Sequence, residues 1–421
     1  MKPQSQLIEL ALIFLKLGCI SFGGPAAHIA MMQNEFVLKR KWLTEEEFIE
    51  LIGLVNIIPG PNSTEMAIHI GFKRARWPGF FIAGLAFIFP AALIVSGIAW
   101  AYLKFGKLPG FIGPLEWMKP VVLAIIVQAI WSLGSKVLKT KTLIALFFGC
   151  LAFSLFIGNE LLLLLCAGII MGILHLPNSK KSSIKKSTTF FMLFNPKILI
   201  SFFGLKTLGS LAKFEKDSVI AGIGRFKSIG GLTDTTALSI VLSEGLPIAL
   251  SRLFLVFLKI GSLIFGSGYV LIAFLRSELV EHLHWITESQ LLDAVLVGQF
   301  TPGPVFTTAT FIGIILAGPL GGLIATVAIF LPVFIFVAIT GPILSLLRRS
   351  VFASGFLSGV NIASLALMAS VSLKLGQSAL VHSSSFAIFA LSSFFMIRYK
   401  MNSLIFLFIA AVIGFFIFKI D

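Results

Sequence analysis

Asn56-Ile57-Ile58-Pro59-Gly60-Pro61-Asn62-Ser63-Thr64-Glu65 is the stretch that decides how this chain folds. Proline removes a backbone donor and clashes with the preceding turn, while glycine admits a bend. Pro-Gly-Pro inside an apolar run therefore stops one helix and starts another. The trio returns 243 residues later as Pro302-Gly303-Pro304, ahead of Thr307 and Thr308. Working outward, Phe14-Leu15-Lys16-Leu17-Gly18 returns as Phe257-Leu258-Lys259-Ile260-Gly261. Phe22-Gly23 returns as Phe265-Gly266, Glu35 as Glu278 and Trp42 as Trp285, all at that offset. After one deleted residue the register continues at 242, pairing Gly71 with Gly313 and Pro90 with Pro332. So many rare residues in one register mark a duplication. The helix starts are duplicated as well. Thr44-Glu45-Glu46-Glu47 carries the hydroxyl and carboxylate of a capping box, and Thr287-Glu288-Ser289-Gln290 fits the same pattern.

The two copies sit in an apolar chain. Only 12% of its residues are charged and 57% are hydrophobic, against about 25% charged in soluble domains. Such a chain cannot solvate its own surface, and its apolar runs reach the roughly 20 residues of a membrane span. The net charge of +15 lies in short Lys/Arg clusters between those runs, as membrane orientation requires. It does not form a nucleic-acid face. Cys19, Cys150 and Cys166 stand in apolar stretches at unrelated spacings and suggest neither a disulfide nor a metal site. No basic n-region precedes the first apolar segment, which is expected to remain in the mature protein. The chain has no clustered metal ligands, Gly-rich nucleotide loop or nucleophile elbow, so neither an enzyme nor a cofactor is expected.

Apolar runs fall near 7–33, 48–72, 78–103, 118–135, 142–157 and 160–176, then near 248–275, 290–317, 320–345, 353–375, 379–397 and 402–419. The fold expected is an all-α polytopic membrane protein with two homologous six-span halves, residues 1–176 and 248–421. Basic clusters follow the second, fourth and sixth runs of the first half (Lys73/Arg74/Arg76, Lys136/Lys139/Lys141 and Lys180 to Lys186). In the second half they follow the third and fifth (Arg348/Arg349 and Arg398/Lys400). Opposite parity predicts an inverted repeat. Inversion needs an odd number of crossings. The 177–247 linker supplies one through an extra helix near 190–211, which makes about 13 spans. If that segment only lies in the interface, the halves are parallel.

Helix breaks at membrane depth occur where protein or a polar cavity satisfies the freed backbone. Matching breaks in two repeats point to a transporter's binding site, and a helix restarting there presents amides and a positive dipole end suited to an anion. The substrate-binding candidates are accordingly Ser21, Gly23 and Gly24 at the first break, and Pro59, Gly60, Pro61, Ser63 and Thr64 at the second. Pro302, Gly303, Pro304 and Thr307 are their counterparts. The equivalent amides Asn56 and Gln299 stand one turn before each Pro-Gly-Pro. Lys16 and Lys259, each a few residues before a glycine break, could converge on one dianion or snorkel to an interface. Glu65, one turn past the break and replaced by Thr308 in the repeat, is the candidate for a coupling proton. His28 and His69 are further titratable candidates, and Lys119 is expected at an interface.

Ser21-Phe22-Gly23-Gly24-Pro25, Lys41-Trp42-Leu43-Thr44, the Asn56–Glu65 stretch and Val297-Gly298-Gln299-Phe300-Thr301-Pro302-Gly303-Pro304 closely resemble the chromate ion transporter family. So does Gly359 to Met368. The resemblance covers both halves and leaves out mainly the linker. It implies a multi-pass carrier of the bacterial-type cell membrane, in contact with lipid, with oppositely oriented halves and with a homodimer left open. It also implies export of chromate, or a related tetrahedral oxyanion such as sulfate, on a membrane ion or proton gradient. A carrier or channel for a different small solute is the competing expectation.

Overall fold

The computed structural model describes residues 3–55, 59–106, 108–156, 159–175, 248–265, 268–348 and 350–417, and every regular element among them is helical. Asn56, the linker and the helix expected near 190–211 lie outside these residues. The first half runs α1 (Pro3–Ile20), α2 (Gly24–Gln33), a π-helical turn (Asn34–Lys39), α3 (Glu45–Val55), α4 (Asn62–Phe105), α5 (Pro109–Val137), α6 (Lys141–Phe156) and α7 (Glu160–Leu174). The second runs α8 (Leu250–Leu263), α9 (Val270–Leu275), a π-helical turn (Arg276–His282) and α10 (Glu288–Phe300). A 3-10 turn (Val305–Thr307), α11 (Thr308–Arg348), α12 (Val351–Ala379), α13 (Ser383–Tyr399) and α14 (Ser403–Ile417) follow. Among the described residues, Asn62–Phe105, Gly113–Val137, Val305–Ile339 and Val351–Ala379 are long and apolar enough to cross a membrane. The architecture is that of a multi-pass membrane protein.

The two halves pass through the same elements in the same order. Both capping boxes form: the Glu47 amide donates to Thr44 Oγ1 at 3.2 Å and the Thr44 amide to Glu47 Oε2 at 2.9 Å. Thr287 and Gln290 exchange the same two bonds at 3.2 and 2.9 Å. Thr287→Ala is expected to cost about 1 kcal/mol, read as a lower melting temperature of the detergent-solubilised protein. Unchanged melting would mean that the box contributes nothing. The π-helical turns, which no residue pattern announced, also match. Two residues past the end of each stands a residue of positive φ (Lys41 at 53°, His284 at 51°). The next amide, of Trp42 or Trp285, bonds back to Phe36 O or Leu279 O at 2.8 Å.

The longest helices double back. Ala75 and Arg76 (φ 51°, ψ −139°) interrupt α4, and Ala317 and Gly318 (φ 67°, ψ −165°) interrupt α11 at the equivalent point. Gly71 packs on Gly79 and Ala83, and Gly313 on Gly321 and Ala325. Eight residues along a straight helix would span about 12 Å, so each element is a tight antiparallel hairpin with arms of unequal length. Glycine meets the reversal at little cost in the second half. In the first half an arginine holds it, at a strain of about 1–3 kcal/mol.

Packing binds the halves to each other. Within each half, α1 lies on α4 and α8 lies on α11. The later helices are exchanged: α5 packs on α13 and α14 of the other half, and α12 packs on α6 and α7. Small residues permit the approach, as membrane helix contacts require. Gly359 meets the Ala167 backbone, Gly355 meets Met171 O, and Gly414 meets Gly113 O. α4 and α11 meet across the middle. In the first half a stack of Phe14 on Phe36 and Phe36 on Trp42, each pair 5.2 Å apart, fixes the turn after α2. This exchange places all four helix breaks at the junction of the two halves.

Candidate functional site

At that junction the breaks are joined by a reciprocal pair of hydrogen bonds. The Gly60 amide donates to Ile264 O at 2.8 Å, and the Gly303 amide donates to Ser21 O at 2.8 Å. Ile264 is the repeat equivalent of Ser21, and Gly303 that of Gly60. Each Pro-Gly-Pro loop is thus seated on the first break of the opposite half. The surrounding contacts follow the same exchange. A Cβ on Gly60 would meet Glu65 Oε1 at 2.6 Å and Val333 at 3.2 Å, and one on Gly303 would meet Ala91 at 2.7 Å. The two glycines need their positive φ (147° and 95°) as well as the space. Gly24 (φ 76°) lies against the Tyr269 hydroxyl, and Gly268 against Pro25 and Phe306.

Helices α2, α4 and α11 begin at this crossing, the last through its 3-10 turn. Their first amides have no carbonyl four residues back. Pro61, Asn62, Ser63, Thr64, Pro302, Gly303, Pro304 and Thr307 are buried there, Pro59 is half-buried, and Gly23 (φ 98°) is exposed. The polar side chains at the crossing differ in how they are satisfied. Thr301, Thr307 and Thr308 donate to their own backbone, at Val297 O, Pro304 O and Val305 O, 2.7–2.8 Å away. Ser21 Oγ, Thr64 Oγ1, Gln299 Nε2 and both carboxyl oxygens of Glu65 have no partner among the described residues. Glu65 is fully buried. Buried polar atoms normally find partners, so these atoms have hydrogen-bonding capacity to spare at the crossing. His28 is buried with Nε2 3.1 Å from Ser21 O and its ring edge-on to Phe87, which ties it to the same carbonyl that receives the Gly303 amide.

One of the two readings given for Lys16 and Lys259 is corrected. Lys16 and Lys259 do not converge at the crossing. Lys16 is exposed on α1 in a stripe with Ile8, Leu12 and Ile20, the spacing of a lipid-directed helix face. Lys259, also exposed, is held by Glu278 at 2.6 Å. Ile8-Leu12-Lys16-Ile20 is readable at i, i+4 spacing and was the signal that Lys16 faces outward. Lys119 is buried at the junction of the halves. It binds Glu116 and Ser289 Oγ (2.7 Å) and lies 3.6 Å from Asp293 Oδ1, while the Tyr102 hydroxyl donates to Asp293 Oδ2 at 2.9 Å. This ionic cluster ties α4 and α5 to α10. It was missed because its members come from distant parts of the sequence.

The chromate transporter family matches residues 8–173 and 251–415 of the chain. A probable chromate transport protein of Synechococcus elongatus is 29% identical over 423 residues, covering 98% of this chain and 96% of its own length. A chromate transport protein of Cupriavidus metallidurans is 28% identical over 381 residues, 90% of this chain and 85% of its own. An uncharacterized transporter of Bacillus subtilis, YwrA, is 30% identical over 132 residues, 31% of this chain and 74% of its own length. No solved structure matches the chain.

Proposed function

The chain belongs to the chromate transporter family, and from that premise we propose that it is a secondary transporter exporting chromate, or a related tetrahedral oxyanion such as sulfate, across the cell membrane on an ion or proton gradient. The observation that carries this reading is the crossing. Two Pro-Gly-Pro loops are exchanged through the Gly60–Ile264 and Gly303–Ser21 bonds, with helix starts and unpartnered polar atoms gathered around them. Helix N-termini stabilise anions through amides and dipoles without a bound cation. Gly23, Gly24, Pro59, Gly60, Pro61, Pro302, Gly303 and Pro304 shape the site. Ser21, Ser63, Thr64, Gln299 and Thr307 offer polar contacts, and Asn56, which lies outside the described residues, is a candidate only through its sequence equivalence to Gln299. The reciprocal exchange also favours the six-span halves being related by a two-fold axis, as in an inverted repeat.

Glu65 carries the coupling in this reading. A dianion and an ionised carboxylate repel strongly at close range in low dielectric, so anion occupancy and the proton on Glu65 are linked. His28, on the Ser21 carbonyl, adjusts the same break. Transport then proceeds by rocking of the halves about the crossing, each glycine loop releasing and re-forming its bond to the opposite half.

Radiolabelled chromate flux into inside-out vesicles, energised and de-energised, tests the reading with excess sulfate as competitor. Gradient-dependent accumulation blocked by sulfate is the expected result. No accumulation, with folded protein shown in the vesicles, would return the substrate to another small solute.

A further inference from the structure

A cavity of about 820 Å³ opens beside α4 one helical turn beyond Glu65. Its lining includes Trp42, His69, Lys73, Arg74, Arg76 and Trp77. Glu65, His69 and Lys73 follow one another at i, i+4 spacing, so a single stripe of the helix leads from the crossing into the cavity. His69 is 8% exposed, and its Nε2 has no partner among the described residues. Arg74 lies over the Trp42 ring at 4.3 Å and 3.9 Å from Glu9, with its buried Nε equally unpartnered among the described residues. Lys73 binds Glu47 at 2.8 Å, which neutralises the acidic group in the lining, and Glu9 is shared between Arg40 and Arg74, so the lining keeps a net positive charge.

Arg76 gives the cavity its direction of purpose. It holds a backbone conformation (φ 51°, ψ −139°) that the second half gives to Gly318. Strained residues of this kind cluster at ligand clamps and active sites. The repeat equivalents of His69, Lys73, Arg74 and Arg76 are Phe311, Ile315, Leu316 and Gly318. The second half therefore makes the same hairpin turn with no charge at the equivalent positions, and the cationic lining is not a requirement of the fold. Guanidinium groups bind tetrahedral oxyanions through paired donors, and a cationic cleft with low-dielectric walls concentrates anions.

We propose that this cavity is a loading site for a tetrahedral oxyanion, in which Arg74 and Arg76 take the anion and His69 donates to it before it passes along α4 to the crossing. The proposal rests on the oxyanion reading of the crossing and adds a second, one-sided binding site to it.

The test is radiolabelled chromate binding to the full chain in detergent micelles, with flux measured in parallel in proteoliposomes. Arg76→Gly removes the charge and supplies the residue that the other half uses, so it is expected to melt no lower than the wild type. It should bind chromate about tenfold more weakly at low ionic strength and raise the KM for flux by a similar factor. The difference should fade at about 1 M salt, where charges are screened within about 3 Å. Arg76→Lys should lie closer to the wild type. A folded Arg76→Gly chain that binds and carries chromate as the wild type does would overturn the proposal. A wild type that binds chromate in micelles but carries none would instead sink the transport reading and leave the loading site standing.

Discussion

Replacing Gly303 with alanine is expected to cut chromate flux by about two orders of magnitude, the scale on which a misplacement of about 1 Å degrades a binding constellation. The new methyl would stand 2.7 Å from Ala91 and 3.3 Å from Gly18 O, on a residue of φ 95°. Neither the backbone nor its neighbour can yield without moving the amide that reaches Ser21 O. Gly60→Ala should act alike, since its methyl would press on Glu65 and Val333. Gly318→Ala is the control. Gly318 also has positive φ (67°), but open space surrounds it and it lies at the hairpin turn rather than the crossing. It should keep most of its flux. Equal losses in Gly303→Ala and Gly318→Ala would reduce the effect to backbone strain and remove the crossing from the mechanism.

Glu65→Gln carries the second large effect. Glutamine keeps the shape against Gly60 and fixes the side chain in an uncharged form, so it breaks the link between proton and anion without opening space. Exchange of labelled for unlabelled chromate across the vesicle membrane should continue, whereas gradient-driven accumulation should be lost and the pH dependence of flux should flatten. An ionisable carboxyl in a helix apolar enough to span a membrane is a functional-site hypothesis by default, and Glu65 is buried with both oxygens unpartnered among the described residues. A Glu65→Gln chain that accumulates chromate with the wild-type pH profile would move the coupling to another group. The Lys119–Asp293–Tyr102 cluster would be the next to examine.

Much of this arrangement is written in local chemistry. The breaks at Gly23-Gly24, Pro59-Gly60-Pro61 and Pro302-Gly303-Pro304 are legible because proline and glycine act on their own backbone. The capping boxes at Thr44 and Thr287 are legible because three residues suffice to make one. The gaps between apolar runs, 72 to 78 and 317 to 320, also fall at the two hairpin turns. What remained hidden depends on partners far along the chain. Nothing near Lys119 announces Asp293, and nothing in α5 states that it will pack on α13 and α14. The lysines misled for a related reason. Their distance from the break was visible, but the direction of a helix face depends on every residue in the stripe, and Ile8 and Leu12 settle it for Lys16. The π-helical turns left no mark, because one extra residue per turn changes no composition.

The exchange of α5 and α12 has a consequence in time. During synthesis α5, α6 and α7 leave the ribosome well before α12, α13 and α14 exist, so the first half must wait in the bilayer with its later helices lacking their final neighbours. Contacts of such long sequence separation form late and slowly. The waiting helices lack the aromatic rings that Gly168 and Gly172 lie against in the finished protein, those of Phe356 and Phe352. Whatever else the segment between the halves does, it keeps the two in one molecule. It turns the last assembly step into an intramolecular search at high effective concentration, and a chain cut there would have to find its other half by diffusion within the membrane.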